Sequence, residues 1–487
     1  MIAEDISSSS ITLEKQKSML VWSLLAVAAI AFYAIYANFV QDDAYITYRY
    51  ARNLANGLGF VYNPGESILG TTTPLYTLLL ALITFITHLP IPQISLAINV
   101  VSLWIGAGSL FEILKDENFM VGLTAALIFI TNPLVPQSVG MESIFLVCLM
   151  LLTIRFFIQG RLTVTAILAG LSTLTRYEMI FLLWLLVIMY YFEHREKPLW
   201  VWPAFLISAI WMFYALYIFG SPIPLSILAK IASPRIPFAK GAIFYLALLV
   251  RQNIFYSVFL FFSLLGCLIV LRHRKATRSG SLLLGWSIIY LLLASLIAGS
   301  FPWYYMPLLP GLAWLISKGA EAFSQPLEIL TRGLLRQLKI LHGGIKPILL
   351  GSFICLLLGI QLSFWGKDWH EYRGTIADPR YAPFKQVSDW LLRNASKEQT
   401  LATAEIGYLG FLTDMRIVDL SGLVTSGIHP WLRAGTDAAL EHALTIYSPD
   451  YVLIRKDAKQ KETINRDSNY IIESWFQDDQ YELYRNR

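Results

Sequence analysis

Met19-Leu-Val-Trp-Ser-Leu-Leu-Ala-Val-Ala-Ala-Ile-Ala-Phe-Tyr-Ala-Ile-Tyr-Ala-Asn-Phe-Val40 runs without a charge into Gln41-Asp42-Asp43-Ala44-Tyr45-Ile46-Thr47-Tyr48-Arg49-Tyr50-Ala51-Arg52-Asn53. A helix needs about 20 apolar residues to cross the hydrocarbon layer, and 19–40 has them. The run is too long for a signal-peptide core, so it is expected to remain as a membrane anchor behind a polar segment, residues 1–18. Eleven further apolar runs follow between residues 75 and 365. With 56% hydrophobic and 15% charged residues over 487 positions, and a mean hydropathy of +0.55, the chain reads as a polytopic α-helical membrane protein.

Lysine and arginine in short loops orient such a chain. They gather at Lys15/Lys17, Arg155/Arg161, Arg195/Lys197, Arg272/Arg274/Lys275/Arg278 and Arg332/Arg336/Lys339/Lys346. Placing these in the cytoplasm puts the N-terminus inside and loops 41–74, 137–141, 176–178, 220–249 and 300–302 outside, with everything after 366. The parity closes only if Leu75–Leu89, which ends in His-Leu-Pro-Ile-Pro, stays on the outer side. About eleven full spans remain. The basic stretch 318–346 reads as an amphipathic connector against anionic lipid. The expected domains are thus a transmembrane unit over 19–365, with outer loops 41–92 and 220–249, and a small extracytoplasmic α/β domain over 366–487. That tail carries strand-like segments at 400–403, 416–419 and 451–454, and helical patterns at 383–393 and 436–446. Cys148, Cys267 and Cys355 all lie in apolar runs, which argues against a disulfide framework or zinc site. No basic, aromatic-interleaved patch suggests nucleic acid.

The chemistry concentrates at the outer level. One aspartate would cap a helix; a second, adjacent one is surplus to capping, and mutual repulsion raises one of the two pKa values toward that of a base. Arg49 and Arg52 follow on the same segment. Gly57-Leu-Gly-Phe-Val-Tyr-Asn63-Pro-Gly-Glu66 and Gly70-Thr-Thr-Thr-Pro74 make a structured loop, with no Gly-Lys-Ser/Thr of a nucleotide-binding loop. Glu142 opens a span, and Arg176 with Glu178 joins two short ones; ionisable groups at membrane depth are functional candidates. A proline-bearing lid, Gly220-Ser-Pro-Ile-Pro224, carries Lys230, Arg235 and Lys240 and no acid, which suits an anion. Ser300-Phe-Pro-Trp303-Tyr304-Tyr-Met-Pro307 serves as an interfacial belt or as an aromatic wall for a sugar or isoprenoid chain.

These blocks resemble the GT-C superfamily of polytopic glycosyltransferases that use polyprenyl-phosphate-linked sugars. The first outer loop, Asp42 through Pro74, is similar to that of the mycobacterial arabinofuranosyltransferases that cap arabinan. Gly140-Met-Glu142, Leu174-Thr-Arg176-Tyr-Glu178, Gly220-Ser-Pro-Ile-Pro224 with Lys230, Glu405-Ile-Gly407-Tyr-Leu-Gly410 and Val418-Asp419-Leu-Ser-Gly422-Leu423 echo later blocks. Tyr177 and Met179 stand where relatives carry Pro and Gly, and Leu225 replaces a polar residue after the lid prolines, which weakens any transfer of sugar specificity. The resemblance implies an inverting transfer at the outer face of a bacterial plasma membrane. Asp42 would be the general base, with Asp43 orienting or sharing the role. Arg49, Arg52, Arg176 and Lys230 would neutralise the departing polyprenyl phosphate. Tyr45, Asn63, Glu142, Glu178, Trp303 and Tyr304 are candidates to line the substrate pocket. Relatives differ in the use of a divalent metal, so no cofactor is assigned. The implied partners are a polyprenyl-phosphate sugar donor, an outer glycan, lipid or protein acceptor, and membrane lipid. A lipid-linked sugar flippase and a non-catalytic glycan-binding membrane protein are the alternatives. A transporter calls for internal repeats and mid-span charges, and neither is visible.

Overall fold

The apolar run at the N-terminus forms the greater part of one helix, Ile2–Tyr36. The computed structural model describes residues 2–39, 41–232, 238–273, 277–297, 301–338, 346–372, 378–456 and 458–487. Arg235 of the lid, Arg274, Lys275 and Lys339 of the basic clusters, and Ser300 lie outside these. Six helices among the described residues are long and apolar enough to cross a bilayer: Leu13–Tyr36, Ile91–Leu114, Tyr177–His194, Leu199–Phe219, Ile254–Arg272 and Arg278–Ser295. Large apolar side chains on these helices, among them Trp184, Ile210, Phe213 and Tyr217, are exposed, as suits a lipid-facing surface. The protein is a multi-pass membrane protein.

The expectation of eleven full-length spans is not met on helix length. Phe119–Ile130, Ser143–Ile158 and Leu162–Thr175 have 12, 16 and 14 residues, short of the ~20 that a bilayer requires. Loops that re-enter the fold cut them short: Asn132 to Gly140 is buried turn and 3-10 backbone beneath Ser143. Pro302 and Pro307 likewise keep Pro302–Leu308 in 3-10 form, so the next helix starts at Leu309 and runs unbroken to Leu338, through much of the stretch read as a connector.

The tail carries a five-stranded mixed sheet in the order β2-β1-β3-β5-β4. Its strands are β1 (Thr400–Thr403), β2 (Arg416–Asp419), β3 (Tyr451–Arg455), β4 (Tyr470–Ile472) and β5 (Tyr481–Asn486). β1 pairs parallel with β2 and β3; β5 pairs antiparallel with β3 and β4. Side chains alternate between faces as a pleat demands. Ala402, Val418, Val452 and Tyr484 pack with Leu440 and Leu444 of helix Thr436–Tyr447. Leu401, Ile417, Leu453 and Leu483 face the other way, into the cluster that holds Phe384 and Val387 and continues into the membrane helices.

β2 is a sheet edge, and an open edge invites pairing. Here the first outer loop closes it. Arg49 Nη2 donates to the Met415 carbonyl at 2.7 Å, and the Asn63 amide binds both Ile417 N (3.0 Å) and Ile417 O (2.9 Å). Asp419 N donates to Thr425 Oγ1 at 2.8 Å. The loop therefore acts as a surrogate strand and locks the tail onto the membrane unit.

Candidate active site

Helix Asp42–Ala55 opens with both carboxylates in its first turn, where the helix dipole favours negative charge. Successive helical residues point about 100° apart, so two neighbours cannot serve one site equally. Asp42 is 2% exposed and turns to the tail: its Oδ1 accepts the Tyr408 N–H at 2.7 Å. A side chain at Gly407 would collide with the Asp42 carbonyl, so glycine is what lets the tail approach this closely. Burial pushes the Asp42 carboxyl up to about 7, against the pull of Arg380 and the Tyr408 N–H; Asp43 adds a smaller push. Repulsion between the neighbours, which the sequence suggested as the cause, is thus secondary to desolvation.

Asp43 instead opens into a cavity, lined further by Ile46, Thr47, Glu142, Ser226 and Trp303. Burial raises its pKa too, opposed first by Lys230. This carboxylate-bearing chamber shares Thr72, Arg176, Lys230 and Tyr304 with a second chamber of about 260 Å³, whose other walls include Phe181, Ile227, Leu293 and Ala294. The two cations therefore stand at the boundary between a carboxylate-bearing chamber and an apolar one. Arg176 Nε lies 2.6 Å from Glu178 Oε1, its Nη1 lies 3.4 Å from Glu142 Oε1, and its guanidinium sits 4.8 Å over the Tyr304 ring. Lys230, on the short lid helix Leu225–Ala232, donates to Tyr304 Oη at 2.9 Å. Burial works against its charge, yet the Tyr304 phenol and Asp43 hold the ammonium above its ordinary value.

Of the residues read from sequence, the fold gathers Asp43, Glu142, Arg176, Glu178, Lys230, Trp303 and Tyr304 around this double chamber. It takes five others away. Arg49 is 1% exposed and donates to the carbonyls of Tyr62 (2.8 Å), Gly410 (2.6 Å) and Met415 (2.7 Å), while its guanidinium stacks 4.3 Å over Tyr62. Arg52 donates to the Phe411 carbonyl at 2.7 Å and pairs with Asp414. Both expected phosphate ligands are spent on the tail. Tyr45 packs between Tyr408 (4.6 Å) and Phe411 (5.2 Å), and Asn63 caps β2. Neither is among the residues lining these two chambers. Asp42, expected as the base, is not among the residues lining these two chambers and accepts the Tyr408 N–H instead. Among the described residues, no three His, Cys, Asp or Glu side chains come together to hold a metal ion.

Solved structures with this architecture exist. ArnT from Cupriavidus metallidurans, in its apo state and bound to undecaprenyl phosphate, is similar over 99% of this chain and 98% of its own, with a TM-score of 0.62 at 13% identity. The Archaeoglobus fulgidus oligosaccharyltransferase, solved with zinc and sulfate, covers 89% of this chain and 68% of its own, with a TM-score of 0.56 at 11% identity. The chain shares the fold of these solved structures. Residues 369–484 match a family model described as a domain of unknown function (DUF8728). No curated protein matches the chain.

Within this fold, several residues reach the site through contacts that the local sequence does not announce. Thr72, Ser226 and Leu423 are uncharged and lie far apart in the chain, yet they line the chambers. Behind Asp42, Arg380 pairs with Asp378 (2.8 Å) and Glu405 (3.2 Å), and Glu405 also receives Arg455 at 2.5 Å. Asp419 is fully buried and accepts the N–H groups of Ser421 (2.7 Å), Leu423 (2.6 Å) and Val424 (3.0 Å), which sets the loop that carries Leu423 to the cavity. The Gly70 backbone touches that same loop; a Cβ there would meet Leu423 O.

Proposed function

We propose that this protein is a membrane glycosyltransferase that moves a sugar, with inversion, from a polyprenyl-phosphate donor to a hydroxyl acceptor at the outer face of a bacterial plasma membrane. One observation carries the reading: Arg176 and Lys230 lie where a chamber bearing Asp43 and Glu142 meets a more apolar one walled by Phe181, Ile227, Leu293 and Ala294. A lipid-linked sugar phosphate has that same order of parts, with an apolar chain, an anion and a polyol. The undecaprenyl phosphate bound to the similarly folded ArnT supports this assignment.

Asp43 is the base in this reading. Its carboxylate takes the proton from the acceptor hydroxyl as that oxygen attacks the anomeric carbon. The bond from the anomeric carbon to phosphate oxygen breaks on the opposite side, and its electron pair leaves on the polyprenyl phosphate. Arg176 and Lys230 stabilise that charge in a site screened from water, where charge–charge interactions are strongest. Glu142 and Glu178 hold the Arg176 guanidinium in place, and Tyr304 holds Lys230. Asp42 positions the helix, and residues 366–487 brace it as an extracytoplasmic domain. With the basic clusters cytoplasmic, the chambers open outward.

The test is transfer by the purified full-length protein from polyprenyl-phosphate pentoses and hexoses, including the arabinofuranosyl donor suggested by the first-loop resemblance. Release of sugar from at least one donor, lost in Asp43→Asn, is expected. Failure on the whole panel, with donor lipid still bound, would instead favour a lipid carrier.

A further inference from the structure

The lid helix Leu225–Ala232 touches both chambers, and its side chains divide between them. Of the two chambers, Ser226 lines only the one with Asp43, Ile227 lines only the more apolar one, and Lys230 lines both. Helical periodicity accounts for the division. Successive residues turn by about 100°, so Ser226 and Ile227 point apart, while Lys230, four residues after one and three after the other, points between them. The helix is fixed from both ends. Leu225 N donates to Leu69 O at 2.7 Å, and Ala232 belongs to the same packed cluster as Ile428 and Leu432 of the tail.

Ser226 is 4% exposed, yet its Oγ has no hydrogen-bond partner among the described residues. Buried hydroxyls seldom stay unpaired, because their desolvation is then uncompensated. Serines inside the longer helices solve this locally. Ser208, Ser287 and Ser317 donate to the carbonyls of Ala204 (2.9 Å), Leu283 (2.7 Å) and Ala313 (2.7 Å), four residues back. Ser226 is second in its helix, so the carbonyl four back belongs to Pro222, in the loop ahead of it. The hydroxyl is left for a partner from outside the protein, on a residue that forms part of the chamber wall. Its place identifies that partner. With a polyprenyl phosphate in the chambers, Ile227 lies along the isoprenoid and Lys230 at the phosphate. Ser226 stands one helical turn from Lys230, about 5.4 Å, in the chamber that also holds Asp43 and Thr47. The part of the donor on that side of the phosphate is the sugar.

We propose that Ser226 binds a hydroxyl of the donor sugar and so takes part in choosing which sugar is accepted. This rests on the transferase reading above, so binding and turnover are measured separately, on the full-length protein in nanodiscs. Lipid displacement compares the affinity for undecaprenyl phosphate with that for undecaprenyl phosphates carrying arabinofuranose, mannose or glucose. The wild type should bind at least one sugar-bearing lipid more tightly than the bare phosphate. Ser226→Ala should weaken that sugar-bearing lipid about three- to tenfold, the range of one neutral hydrogen bond, and leave undecaprenyl phosphate within about twofold. Ile227→Ala, on the isoprenoid side, should weaken both lipids to the same degree. An equal loss of both lipids in Ser226→Ala would place the hydroxyl on the phosphate, and no loss of either would leave it to water. Each of these results overturns the proposal, as does a wild type that gains no affinity from any of the three sugars. Sugar-dependent binding that Ser226→Ala removes, with no transfer by the wild type, would count against the transferase reading alone.

Discussion

Arg49 separates two accounts of the first outer loop. If it binds the donor phosphate, as a cation beside two carboxylates suggests, its loss raises the donor KM. In the structure it ties the loop to the tail, with two bonds crossing to Gly410 O and Met415 O at 2.6 and 2.7 Å. Buried charge-assisted bonds contribute about 1.5–3 kcal/mol each, so Arg49→Met should cost about 3–6 kcal/mol of docking free energy. At about 1.36 kcal/mol per tenfold, the tail should open about 10²- to 10⁴-fold more often. Hydrogen–deuterium exchange of the amides in 408–419 reads this directly. Protection should fall by that factor while amides in the membrane helices stay unchanged. Arg49→Lys should restore only part of it, because one ammonium cannot reach three carbonyls set around a planar fork. A donor KM raised tenfold or more with exchange of 408–419 unchanged would refute the clasp and return Arg49 to the phosphate.

Asp43→Asn should lower kcat by about 10²- to 10⁴-fold, the usual weight of a general base, while donor binding measured by lipid retention stays within a few-fold of wild type. Lys230→Met should act chiefly on the donor, raising its KM, and the effect should persist at high salt because a buried charge is screened little. Burial pushes the Asp42 carboxyl up to about 7 in the folded protein, against an ordinary 3.8 when exposed, so the folded form holds the extra proton. Stability of the docked tail should therefore fall as pH rises from 4 through 7, by roughly 4 kcal/mol if Asp42 acts alone. Asp419, pushed up to about 6 by burial, adds in the same direction. Asp42→Asn keeps an acceptor for Tyr408 N and should flatten a large part of that slope in a thermal-melt series; an unchanged slope would contradict the assignment.

Much of the architecture is written in apolar run lengths and in period-2 alternation, because both are local. Asp43, Arg176, Lys230 and Tyr304 were recognisable for the same reason: a charged or aromatic group flanking an apolar run is a local anomaly. What could not be read is contact across hundreds of residues. Arg49 and Asn63 look like ligand groups until Gly410, Met415 and Ile417 are placed beside them, and nothing near residue 49 announces a carbonyl at 410. Thr72, Ser226 and Leu423 carry no charge to betray a site. Helix length misled for a related reason, since apolar residues such as Leu134 and Val135 continue the hydrophobic pattern after the helix has ended at Ile130.

One regularity in the first-loop helix nevertheless encodes the division of labour. Asp42, Tyr45, Arg49 and Arg52 recur at i, i+3, i+7 and i+10, the spacing of one helical face, and every one of them contacts the tail. Asp43, Ile46 and Thr47 recur at i, i+3 and i+4, and all line the carboxylate-bearing chamber. A helix of 14 residues is marginal alone in water and takes its stability from packing. The tail-facing stripe supplies that packing through a buried arginine, a tyrosine pair and an N–H to Asp42, and so holds the other stripe at a fixed angle to the chamber. General-base catalysis depends on placing the carboxylate within hydrogen-bond reach of the attacking hydroxyl, where a misplacement of about 1 Å costs on the order of 10²-fold. The adjacent aspartates are thus not a redundant pair. One secures the helix so that the other can face the reacting atoms, and exchanging their roles would require rotating the helix by about 100° against the tail.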